Sequence, residues 1–114
     1  MRFAALLHDI GHAPFSHASE ELFPTDQAGR RYEHEDYSDA IICNTLKSVI
    51  EDHPQNKNFG IKIEDVAGFI KDRSNSFDII LWKELISGQV DADRMDYLLR
   101  NSHHCGVEYG KYDW

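Results

Sequence analysis

The chain has 114 residues, enough for one domain and too few for two. Hydrophobic residues make up 41% and charged residues 28% of it, an ordinary globular composition that excludes a wholly disordered or collagen-like chain. Twelve Lys and Arg against twenty Asp and Glu leave a net charge of −8, with no separate basic block. A general nucleic-acid binder that works by neutralising phosphates is therefore excluded. The longest unbroken apolar run, Phe3 to Leu7, falls far short of the ~20 residues that span a bilayer. No signal-peptide pattern precedes it, and Cys43 and Cys105 form no CxxC pair. These features predict a cytoplasmic protein of a reducing compartment, without a membrane partner.

In chain order, Phe3, Leu6, Leu7 and Ile10 recur at helical spacing, with Gly11 as the stop and Pro14 keeping regular helix out of 11–17. Pro24 to Arg31 reads as a loop. From Glu35 to about Asp52, the residues Ala40, Ile41, Cys43, Leu46, Val49 and Ile50 mark the buried side of a long amphipathic helix. Acidic Glu33, Glu35 and Asp36 suit the positive end of its dipole. The run from His53 to Asn58 is a polar breaker. Further helices are predicted over about Ile63–Lys71 (with Val66, Ala67 and Ile70 inward), Phe77–Leu85 and Val90–Ser102. No strand alternation or hairpin signal appears, so the fold class is all-α, with about five helices. Neither end carries a closing signal, and the chain reads as incomplete at both.

Two constellations carry chemistry. The first runs from His8-Asp9 through Ile10-Gly11-His12 to Pro14-Phe15-Ser16-His17. An adjacent His and Asp at a helix end offer imidazole nitrogen and carboxylate oxygen to one cation, a set that suits Mn, Fe, Zn or Mg without choosing among them. Satisfied local hydrogen bonds are the competing reading. In the second, Asp91-Ala92-Asp93-Arg94-Met95-Asp96-Tyr97-Leu98-Leu99-Arg100, a 3.6-residue turn puts Asp93, Tyr97, Arg100 and His104 on one stripe. Asp96 and Arg100 can pair across a turn. A solvated charged face is the alternative, but Tyr97 and nearby apolar residues favour a carboxylate that meets a cation.

Both stretches resemble the signatures of the HD-domain phosphohydrolases, and in particular the branch containing deoxynucleoside triphosphate triphosphohydrolases. The match covers essentially the whole chain. It implies a helical HD fold, present over 1–114 as a partial domain without the family's first metal-ligand helix and the C-terminal continuation. His8, Asp9 and Asp93 are then metal ligands for a divalent ion. His12 and His17 face the phosphates, His34 has a catalytic role beside them, and Glu20 is its acidic partner. Arg94 reaches the phosphate chain and Tyr97 packs on the sugar. Asn101 departs from the Asp that nucleotide-hydrolysing members often place near the sugar hydroxyl, so the resemblance leaves the deoxynucleotide preference open.

The resemblance implies metal-dependent hydrolysis of a nucleotide or phosphate-ester substrate, giving a nucleoside and tripolyphosphate for that branch, with a homo-oligomer among the expected assemblies. Two alternatives stand beside it: a hydrolase of signalling nucleotides, and a nucleotide-binding regulatory module without catalysis. With one family ligand absent, the chain itself is expected to bind metal weakly, hydrolyse little and expose the face of Phe3, Leu6 and Leu7. Cys43 and Trp82 are expected in the core. His103 reads as solvent-facing or as a cation at a helix end.

Overall fold

A computed structural model describes residues 2–71, 81, 84, 85, 88 and 92–110. The chain divides into two compact units, Met1–Ser74 and Asn75–Trp114. The first unit runs α1 (Arg2–Leu7), a 3₁₀ helix (Ser16–Leu22), α2 (His34–Ala40), a π-helical segment (Ile41–Thr45), α3 (Lys47–Glu51), α4 (Asn56–Phe59) and α5 (Ile63–Ile70). In the second unit, α6 spans Ala92–Cys105. The fold is all-α. An isolated bridge between Thr25 and Arg31 is the nearest approach to a strand among the described residues. No described helix is long and apolar enough to cross a membrane.

The centre of the first unit is α5, whose Ile63, Val66, Ala67 and Ile70 are buried. It packs against α1, α2, α3 and the π segment, and Ala4, Ile42 and Ile50 complete the core. The helix expected over 35–52 is present but not uniform. Its middle widens into the π segment, where Leu46 N–H bonds the Ile41 carbonyl at 3.0 Å. A π turn holds more residues than an α turn and so rotates the faces that follow it. Ile42, within this segment, is fully buried and Ile50 beyond it is buried as expected, whereas Val49, also expected inside, is 62% exposed and Ala40, at the end of α2, faces out.

α1 buries only Ala4, while Leu6 is 76% exposed and Phe3 and Ile10 lie outward, in keeping with the exposure expected of the Phe3, Leu6 and Leu7 face. One short helix offers one narrow face to α5, and the small residue on it lets the backbones approach. The polar run after His53 is not wholly irregular, because Asn56–Phe59 forms a turn of helix closed by Gly60 in the left-handed region. The Asn56 side chain stabilises that turn, donating to the Ile61 carbonyl and accepting its N–H, both at 2.8 Å. The helix predicted over 77–85 and the position of Trp82 lie largely outside the described residues.

The start of α2 is fixed from several sides. Asp36 Oδ2 accepts the Glu33 N–H at 2.9 Å. The Arg30 guanidinium clamps both Asp36 oxygens at 3.0 Å each, and Lys71 pairs with the same carboxylate. Arg30 is presented by a turn in which Asp26 Oδ1 accepts the N–H groups of Ala28 and Arg30, each at 2.9 Å. The Arg30 hydrogen bonds, reinforced by Lys71, hold the Asp36 carboxyl far below the usual carboxylate range. This anchored turn begins with His34.

In the second unit, α6 ends at Gly106, which takes a positive φ of 68° and so removes the steric penalty of a left-handed helix end. Ser102, buried on α6, accepts the Gly110 N–H at 2.7 Å. The Asp96–Arg100 pair expected along this helix is formed.

Candidate metal centre and histidine cluster

His8 and Asp9 leave the end of α1 in a tight turn. The His8 ring is oriented from behind, because Nδ1 lies 2.8 Å from the Ala5 carbonyl. A carbonyl can only accept, so Nδ1 carries the proton and Nε2 of the neutral ring presents a bare lone pair. That Nε2 lies 3.3 Å from Asp9 Oδ1. Two acceptor atoms held this close repel unless a cation or proton lies between them. The separation also suits two ligands on one ion with bonds of about 2.0–2.2 Å. A ligand imidazole whose other nitrogen is fixed by a backbone carbonyl is the usual supporting arrangement of metal sites. These two residues fit a divalent cation.

Gly11 decides how this turn meets α2. Its φ is not positive, so the turn itself does not demand glycine. The requirement is close approach: a Cβ at this position would stand 2.2 Å from the His34 carbonyl oxygen and 2.4 Å from the Ser38 nitrogen. The backbone of the His-Asp turn therefore lies directly on the first turn of α2. Chain reversal comes later, where Phe15 and Ser16 both take positive φ, 72° and 52°. Pro14 and this left-handed pair lead into the 3₁₀ helix that carries His17 and Glu20.

These elements bring His12, His17, Glu20 and His34 together, with one donor atom from each lying within 4.8 Å of the others. Glu20 Oε1 is 2.5 Å from His34 Nδ1 and 3.2 Å from His17 Nδ1. Burial pushes the Glu20 carboxyl up, but hydrogen bonds from the His34 and His17 rings outweigh it, and the net shift is downward. An ionised carboxylate only accepts, so both Nδ1 atoms are donors and both Nε2 atoms remain for other work. The His12 and His34 rings stack at 3.9 Å with 12° between their planes. Desolvation, followed by the neighbouring His34, lowers the His12 pKa and favours its neutral form. Because imidazole lone pairs lie in the ring plane, the two stacked rings point side by side, and the four ligand atoms of the cluster lie close enough together to share a cation.

Asp9 Oδ1 joins the two groups. Besides His8, it lies 3.5 Å from His12 Nε2 and 4.0 Å from His34 Nε2. Asp93, Arg94, Tyr97 and Asn101 belong to the second unit, where α6 carries all four. A cleft of about 760 Å³, lined by Phe3, Val49, Phe59 and Phe69 with Arg2, His53 and Asp65, contains none of the clustered residues.

Sequence reasoning missed the support around this site. The Arg30–Asp36–Lys71 clamp joins residues distant in sequence, and only Asp36, three residues after Glu33, carried a local helix-start signal. Ser38, which bonds the His-Asp turn, had no signal at all.

The chain matches the model of the HD domain family over residues 1–101. It is 40% identical over 96% of its length to the uncharacterized protein YwfO of Bacillus subtilis. It is 41% identical over 98% of its length to the uncharacterized protein MJ1154 of Methanocaldococcus jannaschii. The deoxynucleoside triphosphate triphosphohydrolase SAMHD1 homolog of Dictyostelium discoideum is 33% identical over 93% of the chain. The chain spans 22%, 19% and 20% of the lengths of these three relatives, respectively. A helical fold, an adjacent His and Asp fit for a cation and a family match over nearly the whole length agree: the chain belongs to the HD domain family.

Proposed function

We propose that the chain is the metal-binding part of a phosphohydrolase acting on nucleoside triphosphates. In this reading His8 and Asp9, together with Asp93, hold a divalent cation, and His12, His17 and His34 meet the phosphate chain. The observation that carries it is the position of Asp9 Oδ1, shared between the bare nitrogen of His8 and the ring nitrogens of His12 and His34. Asp93, Arg94, Tyr97 and Asn101 enter through the family resemblance, as ligand, phosphate contact and two sugar contacts. The substrate class is supported by the Dictyostelium relative, named a deoxynucleoside triphosphate triphosphohydrolase homolog.

A divalent cation at His8 and Asp9 supplies a polarised phosphoryl oxygen and a more acidic water. The remaining work falls to the side chains. Glu20 holds the Nδ1 proton of His34 and stabilises the ring when it is doubly protonated, so that Nε2 can protonate the departing oxygen. Neutral His12, stacked on His34, accepts a hydrogen bond from the attacking water or orients it. His17, also tied to Glu20, donates to a phosphate oxygen. An acidic chain repels a polyanion at long range, and these local donors offset that field at the point of contact.

The test is ³¹P NMR of dGTP incubated with the chain and Mn²⁺. Slow accumulation of tripolyphosphate that is abolished by Asp9→Asn is expected. Release of orthophosphate or pyrophosphate in its place, or turnover that Asp9→Asn leaves intact, contradicts the proposal.

A further inference from the structure

The His-Asp turn is closed by a ladder of short backbone bonds with one rung missing. Ile10 N–H bonds the Leu7 carbonyl at 3.2 Å, and His12 N–H bonds the Asp9 carbonyl at 3.0 Å. The rung between them would join Gly11 N–H to the His8 carbonyl. The Ser38 hydroxyl stands there in its place. It accepts the Gly11 N–H at 2.9 Å and donates to the His8 carbonyl at 2.6 Å. One hydroxyl proton and one lone pair satisfy both groups.

Ser38 is a residue of α2 and is fully buried. A serine within a helix commonly turns back onto the carbonyl four residues earlier, which here belongs to His34. Its hydroxyl reaches out of α2 instead, toward a turn 27 to 30 residues earlier in the chain. Gly11 permits this by leaving space beside the His34 carbonyl that any Cβ would fill. A side chain inserted into a hydrogen-bond ladder opens it locally. Without the hydroxyl, the turn can close its own third rung and tighten, or admit water and loosen. Either change moves His8 and Asp9 relative to His34, because the bridge spans the backbones that carry them.

We propose that Ser38 is a positioning residue: its hydroxyl, inserted as the middle rung of the His8–His12 turn, sets the register between the cation pair His8/Asp9 and the α2 residue His34. Ser38 does not touch the cation or the phosphates. It acts on His8 through the backbone, while the Ala5 carbonyl fixes the same residue through its ring. The inference rests on the reading of His8 and Asp9 as cation ligands only for its effect on metal affinity. Its structural content concerns the rings themselves.

The experiment has two readouts on the chain and on Ser38→Ala. The first is the long-range ¹H–¹⁵N NMR spectrum of the metal-free histidine rings. The second is Mn²⁺ affinity by calorimetry. The Ser38→Ala change is expected to shift or split the His8 and His34 ring signals together while leaving His53 unmoved. It is also expected to weaken Mn²⁺ binding on the order of 10-fold, as the loss of an orienting partner does at other metal sites. Ser38→Cys, close in size with a weaker donor, is expected to fall between the two, and it carries the test if Ser38→Ala does not fold. A variant that lowers Tm but keeps the wild-type ring signals and Mn²⁺ affinity overturns the proposal, because a merely structural hydroxyl predicts that result. If the wild-type chain binds no Mn²⁺, the cation reading fails separately, and the ring signals still decide the role of Ser38.

Discussion

Glu20 and His34, fourteen residues apart in sequence, meet at 2.5 Å between a carboxylate oxygen and a ring nitrogen. The contact joins a 3₁₀ helix to the first turn of α2, and it assigns the ring proton, because a carboxylate kept ionised can only accept. His34 is thereby held in one tautomer, with Nε2 4.0 Å from Asp9 Oδ1.

Replacing that carboxylate separates proton handling from metal binding. Glu20→Gln keeps the size of the side chain and an acceptor oxygen but removes the charge that stabilises an imidazolium. Turnover is expected to fall about 100-fold, at the lower end of the range for acid–base groups, with Mn²⁺ affinity unchanged within a factor of about three. Steady-state kinetics beside calorimetric titration checks both.

Gly11 predicts a stability effect of different origin. A Cβ there stands 2.2 Å from the His34 carbonyl oxygen, and both partners are backbone that cannot move aside. Gly11→Ala is expected to cost about 1–3 kcal/mol, the usual penalty of overpacking, measured by urea unfolding. An unchanged midpoint would mean that the turn and α2 are not in contact.

Asp36 gives a pH dependence with a definite sign. Its folded-state pKa is depressed by Arg30 and Lys71, so the pair stabilises the fold fully above the unfolded carboxylate pKa of about 4. That contribution is lost as pH falls below it. Asp36→Asn is expected to be less stable than wild type at pH 7, with the difference narrowing steadily between about pH 4 and pH 2. Urea midpoints across this range measure it.

The core offers a comparison between periodicity and packing. Ile42 is fully buried and Val49 is 62% exposed, although regular helical spacing placed Val49 inside. Ile42→Ala is expected to cost about 2–5 kcal/mol. Val49→Ala is expected to stay within about 0.5 kcal/mol of wild type.

That pair also shows what the sequence could convey. The all-α class, the α5 face of Val66, Ala67 and Ile70, and the His8-Asp9 and His12–His17 groupings follow from local patterns, because short-range spacing fixes them. The π segment does not, since no residue pattern marks one wide turn. Nor does Ser38, whose meaning depends on a backbone 27 residues away. Gly11 was legible only as a helix stop, whereas in the fold it serves contact with α2 and chain reversal is accomplished at Phe15 and Ser16.

The central claim is a division of labour between cation ligands and phosphate-facing imidazoles. Calorimetric Mn²⁺ titration of the wild-type chain, Asp9→Asn and His34→Ala tests it most directly. Asp9→Asn is expected to abolish measurable binding, and His34→Ala to bind within about threefold of wild type while its hydrolysis falls about 100-fold. Equal loss of Mn²⁺ from both variants would place His34 on the cation and contradict the account.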